Sequence, residues 1–349
     1  MRLLVTGGAG FIGTAVASAA TDLGWDVRVL DSLREDVHGE AAAPSNVDFV
    51  RGDVRDAAVL DQALAGVDAV SHQAAKVGLG VDFADAPDYV SSNELGTAAL
   101  LAAMARAQID RLVVASSMVV YGEGAYVGAD GPMRPAARRP DDLDAGRFDP
   151  RDAEGRPLEP AMIDEDAALD PRNVYAASKL AQENLASAWA RATGGTAVAL
   201  RYHNVYGPGM PQNTPYAVVA SLFRSAIERG EAPRVFEDGA QRRDFVHVAD
   251  IASANLAALT HTAAAERGTF RAFNVASGAV HTIGDLAAAL SRHSDGAEPV
   301  ITGEYRLGDV RHITASSQRL RDELGWMPSV AFEDGMREFA NAPLRAAVR

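Results

Sequence analysis

Short apolar runs alternate with longer Ala- and Leu-rich stretches through the first two hundred positions of the chain. The short runs read as strands over Leu3–Thr6, Val27–Asp31, Ala69–His72, Arg111–Ser116 and Ala197–Tyr202. The longer stretches read as helices over Gly10–Leu23, Ala57–Leu64 and Asn93–Ala107. Leu112-Val113-Val114 is apolar at every position rather than alternating, as expected of a parallel strand buried on both faces. Regular alternation of such strands with helices predicts a doubly wound, Rossmann-type α/β sheet. The pattern breaks between Tyr121 and Asn173, where Pro132, Pro135, Pro140, Pro150, Pro157, Pro160 and Pro171 interrupt any periodicity. So long an aperiodic stretch is either functional or locally structured, and it is expected as an inserted loop over about 124–170. A helix carrying Tyr175 in its first turns follows. From Gly207 on, strands and helices mix and Arg becomes more frequent. The expected division is a dinucleotide-binding domain over 1–206, to which 243–275 returns, and a smaller mixed α/β substrate domain over 207–242 and 276–349.

The length, 349 residues, suits about two domains. Thirty-three Lys and Arg against 47 Asp and Glu leave a net charge of −14, which opposes nucleic acid as a general partner. With no cysteine, disulfides, thiolate metal sites and cysteine nucleophiles are excluded. No apolar run approaches the roughly 18 residues a membrane span needs. Arg2, the apolar stretch after it and Ala17-Ser18-Ala19-Ala20 imitate a signal peptide, but Gly7, Gly8 and Gly10 interrupt the run. A cytoplasmic protein is expected.

Three motifs carry chemistry. Thr6-Gly7-Gly8-Ala9-Gly10-Phe11-Ile12-Gly13 follows the first strand and opens the first helix. Glycines there permit a tight turn and let backbone approach a pyrophosphate, which then rests on the helix N-terminus. Asp31 ends the next strand, 18 residues after Gly13. A carboxylate at that point accepts from a ribose 2′-hydroxyl and repels a 2′-phosphate, favouring NAD over NADP. Tyr175 and Lys179 stand four apart on one helix face, where an ammonium would lower the phenol pKa towards working pH and make Tyr175 a general base or acid. Ser116-Ser117 closes a strand at its carboxyl end, where ligands of such sheets bind, and a hydroxyl there can hold a reacting oxygen.

Together Gly7-x-x-Gly10-x-x-Gly13, Ser117 and Tyr175-x-x-x-Lys179 resemble the extended short-chain dehydrogenase/reductase family, in particular its NAD-dependent sugar epimerases and dehydratases. His72-Gln73-Ala74-Ala75, Asn93-Glu94-Leu95-Gly96-Thr97, Arg201 to Pro208, Arg243 to Val248 and Arg306 to Arg311 extend the resemblance over nearly the whole chain. It implies NAD as cofactor, no metal, and Ser117, Tyr175 and Lys179 as catalytic residues. It implies that Asp53 and Val54 meet the adenine and that Gln73, Ala74 and Ala75 lead to the nicotinamide, with Phe11, Ile12, Ser32, Asn93 and Tyr202 completing the cofactor site. Asn204, Arg243 and Arg306 would hold a substrate diphosphate, for which guanidinium forks are suited. Phe236 would pack on the nucleotide base, with Gln212 and Asn213 beside it; Arg242 and Arg311 are left open. His72, His247 and His281 read as structural, while His203, near the sugar or nicotinamide, would tune substrate choice. Relatives pair two long helices per subunit in a bundle, which implies a homodimer through Asn93–Ala107 and Tyr175–Ala192.

Departures from the family narrow the reaction. Dehydratases resemble one another in an Asp-Glu pair after the catalytic Ser/Thr, but Met118 and Val119 stand here, so water elimination lacks its acid and base. The segments Gly303–His312 and Phe148–Pro160 resemble bacterial 4-epimerases of dTDP- or UDP-linked hexoses. The reading is a nucleotide-sugar 4-epimerase working through a transient 4-keto sugar. The alternatives are a 4-ketoreductase with exchangeable NAD(P)H and a non-catalytic nucleotide-binding relative. The insertion, lying between Ser117 and Tyr175, is expected to border the site as a lid.

Overall fold

The computed structural model describes residues 1–39, 44, 47–78, 82–212 and 219–345. Among these, seven strands pair in parallel: Arg2–Thr6, Asp26–Asp31, Asp48–Arg51, Ala69–His72, Arg111–Ser117, Thr196–Tyr202 and Phe270–Val275. Counted along the chain, their order across the sheet is 3-2-1-4-5-6-7. The direction of winding reverses between the first and fourth strands, which opens a crevice at their carboxyl ends. Leu3 and Val5 pack into one apolar layer with Val16, Val113, Val198 and Ile251, while Leu4 packs into the opposite layer with Leu60, Leu100, Val114 and Trp189. The stretch resembling a leader is thus an inner strand of the sheet and the Phe11–Asp22 helix.

The helix expected over Asn93–Ala107 is a π-helical stretch, Val90–Leu95, running into an α-helix, Gly96–Arg106. The wide turn brings Asn93 inward. Its Nδ2 donates to the Lys76 carbonyl at 3.0 Å and to Ser178 Oγ at 2.8 Å. Such bulges commonly place a polar side chain where a regular helix cannot. The Val174–Thr193 helix is capped by Asn173, whose side chain accepts from Ala176 N, and it stops at Gly194 in the left-handed region, φ +73°.

Beyond the large sheet, Asn204–Tyr206, Arg242–His247 and Val280–Thr282 form a three-stranded sheet. A separate core of Tyr206, Phe223, Phe245, Leu286 and Phe339 covers it. The insertion is not a bare loop. Ala125–Gly128, Gly131–Met133 and Glu159–Ala161 form a small antiparallel sheet, and Pro140–Asp144 a helix. Turn-rich strands of three or four residues carry too little periodicity to be read from sequence. Ion pairs fasten the insertion to the smaller region. Arg138 meets Glu237 at 2.7 Å, and Arg311, its side chain 1% exposed, meets Asp149 at 2.8 Å and Glu237 and Asp238 at 2.7 Å each.

Under the crevice, His72 is hydrogen-bonded to Thr6 Oγ1 at 2.7 Å and Thr97 Oγ1 at 2.9 Å. Burial, reinforced by the Lys179 charge, pulls its pKa down to about 3. An unfolded histidine titrates near 6.5, so the unfolded chain takes up this proton first as pH falls. The stability the neutral ring contributes is complete above pH 6.5 and is lost towards pH 3. The melting-temperature gap between the protein and His72→Gln should therefore narrow between pH 6.5 and 4.5, and a constant gap would refute this.

Candidate active site

The glycine turn and the fourth-strand end touch across the crevice. A Cβ on Gly7, φ +65°, would stand 2.6 Å from Ala74 N, and one on Gly13 would overlap the Gly7 carbonyl. Only glycine fits either position, and the helix N-terminus that follows directs its free N–H groups into the opening. A cleft of about 1240 Å³ runs from here across the molecule. Gly7, Gly10, Phe11, Ile12, Gly13, Asp31, Ser32, Asp53, Val54, Gln73, Ala74, Ala75 and Tyr202 all line it. Asp31 accepts from Ala9 N at 3.0 Å and Leu33 N at 2.9 Å, which aims the carboxylate at the turn and leaves lone pairs for a ribose hydroxyl. Arg55 grips Asp53 and holds its carboxyl below the usual range. Tyr202 donates to Gln73 Oε1 at 3.2 Å. Asn93 does not line the cleft; it is fully buried and supports Lys76 behind the wall.

Ser117, Tyr175 and Lys179 line the middle of the same cleft. The Tyr175 phenol faces Ser117 across the cleft and lies 6.0 Å, centre to centre, from the Tyr89 ring. Contrary to expectation, its pKa is raised, to about 12. Burial dominates, and the Ser117 hydroxyl only partly offsets it. Lys179 Nζ donates to the Ala115 carbonyl at 2.9 Å, and burial brings its own pKa down to about 7 despite Glu183. An ammonium has three N–H bonds, so donors remain for a ribose hydroxyl. One turn on, Glu183 accepts from Arg201 at 2.9 and 2.8 Å and from the hydroxyl of Ser116. Arg201 donates in turn to Tyr121 Oη at 2.8 Å, and Tyr121 to Asn274 at 2.7 Å. The sequence offers no role of this kind for Glu183, Arg201, Tyr121 or Asn274. The available signal was a lone arginine inside the apolar run Ala197–Tyr202 and a carboxylate eight residues after Tyr175.

At the far end Arg243 and Arg306 line the cleft, and among the described residues neither meets a carboxylate within salt-bridge range. Arg243 is held by the Arg311 and Val310 carbonyls at 2.9 and 2.7 Å. Arg306 lies over the Phe236 ring at 5.2 Å. Asn204 turns an unpartnered, buried Nδ2 into this region. Met118 and Val119 wall the cleft between the two ends. Gln212 is instead bound to Glu228 at 2.8 Å and lies off the cleft, and Asn213 lies outside the described residues. Arg311 is consumed by its three carboxylates. No described residue between Gly122 and Arg172 lines the cleft, so the insertion is a clasp behind the site rather than a lid over it.

A doubly wound sheet with a glycine cradle at its switch point and a Ser-Tyr-Lys set beside it defines a dinucleotide-dependent enzyme acting on a hydroxyl or carbonyl carbon. The chain belongs to the NAD dependent epimerase/dehydratase family, whose model matches residues 3–143 and 148–276. It is 33% identical to a dTDP-L-rhamnose 4-epimerase of Burkholderia thailandensis, over 97% of this chain and 93% of that one. It is 31% identical to a dTDP-glucose 4,6-dehydratase of Streptomyces niveus, over 97% and 91%. The crystal structure of a Thermus thermophilus UDP-glucose 4-epimerase complex with NAD superposes with a TM-score of 0.75 at 29% identity, covering 98% of each chain.

The residues present fit NAD, since the cradle excludes every side chain at Gly7 and Gly13. Gly13→Ala should weaken NAD binding at least about tenfold, read by calorimetry, with the circular dichroism spectrum retained. Unchanged affinity would show that the turn does not hold the cofactor.

Proposed function

We propose that this protein is an NAD-dependent nucleotide-sugar 4-epimerase, inverting C4 of a dTDP- or UDP-linked hexose. The observation that carries the reading is one continuous cleft with hydroxyl chemistry at its middle and, at its end, two arginines that make no salt bridge among the described residues. A chain with net charge −14 that keeps two arginines out of direct ion pairs in a cleft offers their forks to an anion such as a diphosphate. Between these ends, Met118 and Val119 offer no acid or base, which argues against the elimination catalysed by the dehydratase relative.

NAD, when bound, supplies the acceptor and donor of the C4 hydride. The chain's own residues handle the proton and the geometry. Ser117 holds the C4 oxygen, and Tyr175 takes the hydroxyl proton and later returns it. Burial raises its pKa, so phenolate formation would need the Ser117 hydroxyl and a nearby positive charge, which Lys179 four residues on can supply. Arg243, Arg306 and Asn204 grip the diphosphate, while the apolar Met118-Val119 wall leaves the 4-keto sugar free to turn over and present its other face.

The test is proton NMR of the sugar H4 signal on a panel of UDP- and dTDP-hexoses with no cofactor added. The appearance of a C4 epimer is expected. No conversion, even with NAD⁺ supplied, would overturn the reading in favour of a 4-ketoreductase. Tyr175→Phe should lower kcat by about a thousandfold while substrate affinity is kept.

The proposal extends to a cytoplasmic location, and among the described residues no helix is long and apolar enough to cross a membrane. It also extends to a homodimer. Phe83, Val90 and Leu95, exposed by 82%, 44% and 56%, cluster on the segment leading into the Gly96–Arg106 helix. An apolar patch of this kind is suited to a self-complementary contact. Light scattering should give twice the chain mass, and Leu95→Glu should give the monomer; a monomeric native protein at micromolar concentration would rule the dimer out.

A further inference from the structure

His203 is a buried ring without a task in the fold. Its side chain lines the cleft, the residue is 3% exposed, and both ring nitrogens lack a hydrogen-bond partner. Other buried histidines are engaged: His72 with two threonines, and His312 with Asp149 and the Arg242 N–H. An unpaired buried polar atom costs about 1–3 kcal/mol, so two on one ring need a reason.

The backbone states where the residue lies. Ser117 and Tyr202 are lateral partners in the parallel sheet, so His203 is the first residue past the sheet edge beside Ser117. Its N–H donates to the Val275 carbonyl at 3.2 Å, which fixes the step out of the strand. The next residue, Asn204, pairs with Phe245, two residues along the strand from Arg243. His203 therefore stands on the path between the reacting oxygen's partner and the diphosphate's partner. Burial and the Arg243 charge keep the ring neutral, with a pKa near 3. A neutral imidazole carries one donor and one acceptor. That matches a hydroxyl, which also donates and accepts, better than a phosphate oxygen, which only accepts and would call for the charged ring.

We propose that His203 hydrogen-bonds a hexose hydroxyl lying between C4 and the glycosyl phosphate, and so selects which sugar configurations are held. This rests on the nucleotide-sugar reading above.

The test compares the protein with His203→Phe and His203→Gln by calorimetry, using dTDP, dTDP-glucose, UDP and UDP-glucose as probes, together with KM and kcat on whichever sugar is converted. His203→Phe should weaken the nucleotide sugar about five- to twentyfold and leave the nucleoside diphosphate unchanged. Unchanged diphosphate affinity also certifies the fold. His203→Gln, which keeps a donor and an acceptor, should restore part of the loss, and the change should fall mainly on KM. Unaltered affinity for the nucleotide sugar in His203→Phe, or an equal loss for the bare diphosphate, would overturn the contact while leaving the epimerase reading intact. A native protein that binds none of the four probes would overturn that reading, and this contact with it.

Discussion

The Arg201 guanidinium, clamped by Glu183 on one side and the Tyr121 hydroxyl on the other, governs the geometry of the reacting end of the cleft. Glu183 sits two turns beyond Tyr175 and one beyond Lys179, so whatever fixes it fixes the rotation of the whole helix. Arg201 comes from the sixth strand, and Ser116, which also donates to Glu183, precedes Ser117 on the fifth. One buried pair therefore sets the phenol, the ammonium and the serine hydroxyl against one another. Neither ion can leave its partner cheaply, since stranding a charge in such a place costs about 3–5 kcal/mol. The extension through Tyr121 and Asn274 to Glu165 carries the same constraint into the seventh strand and the foot of the insertion.

What was legible in the sequence follows from how locally each feature is encoded. The glycine turn is a matter of consecutive residues, as is the strand before it, and both stand where they were expected. Ser117, Tyr175 and Lys179 could be singled out because their chemistry is rare in company, and the sheet brings all three to one cleft. Two strands of the large sheet have no clear sequence signature. Asp48–Arg51 offers only Phe49 and Val50 to the core, and Phe270–Val275 is broken by Arg271 and Asn274. Edge strands carry a weaker apolar signature because they are buried by fewer neighbours.

Side-chain destinations were least legible, because they depend on partners distant in sequence. Gln212 found Glu228 and turned away from the cleft; Asn93 became a brace for Lys76 and Ser178. The Tyr175 pKa went the opposite way from the motif-based expectation. Spacing on a helix says that Lys179 is near, but not that its ammonium turns to the Ala115 carbonyl, nor how completely the phenol is desolvated.

The insertion is fastened by arginines and carboxylates in a chain with no cysteine. Its hold on the segment carrying Phe236 and Arg306 therefore involves no thiol or disulfide. The Arg311–Glu237 contact, with side chains 1% and 3% exposed, is screened little by salt, whereas Asp149 and Asp238 are about half exposed at the rim. The far end of the cleft is thereby given the same rigidity in a reducing compartment as in an oxidising one.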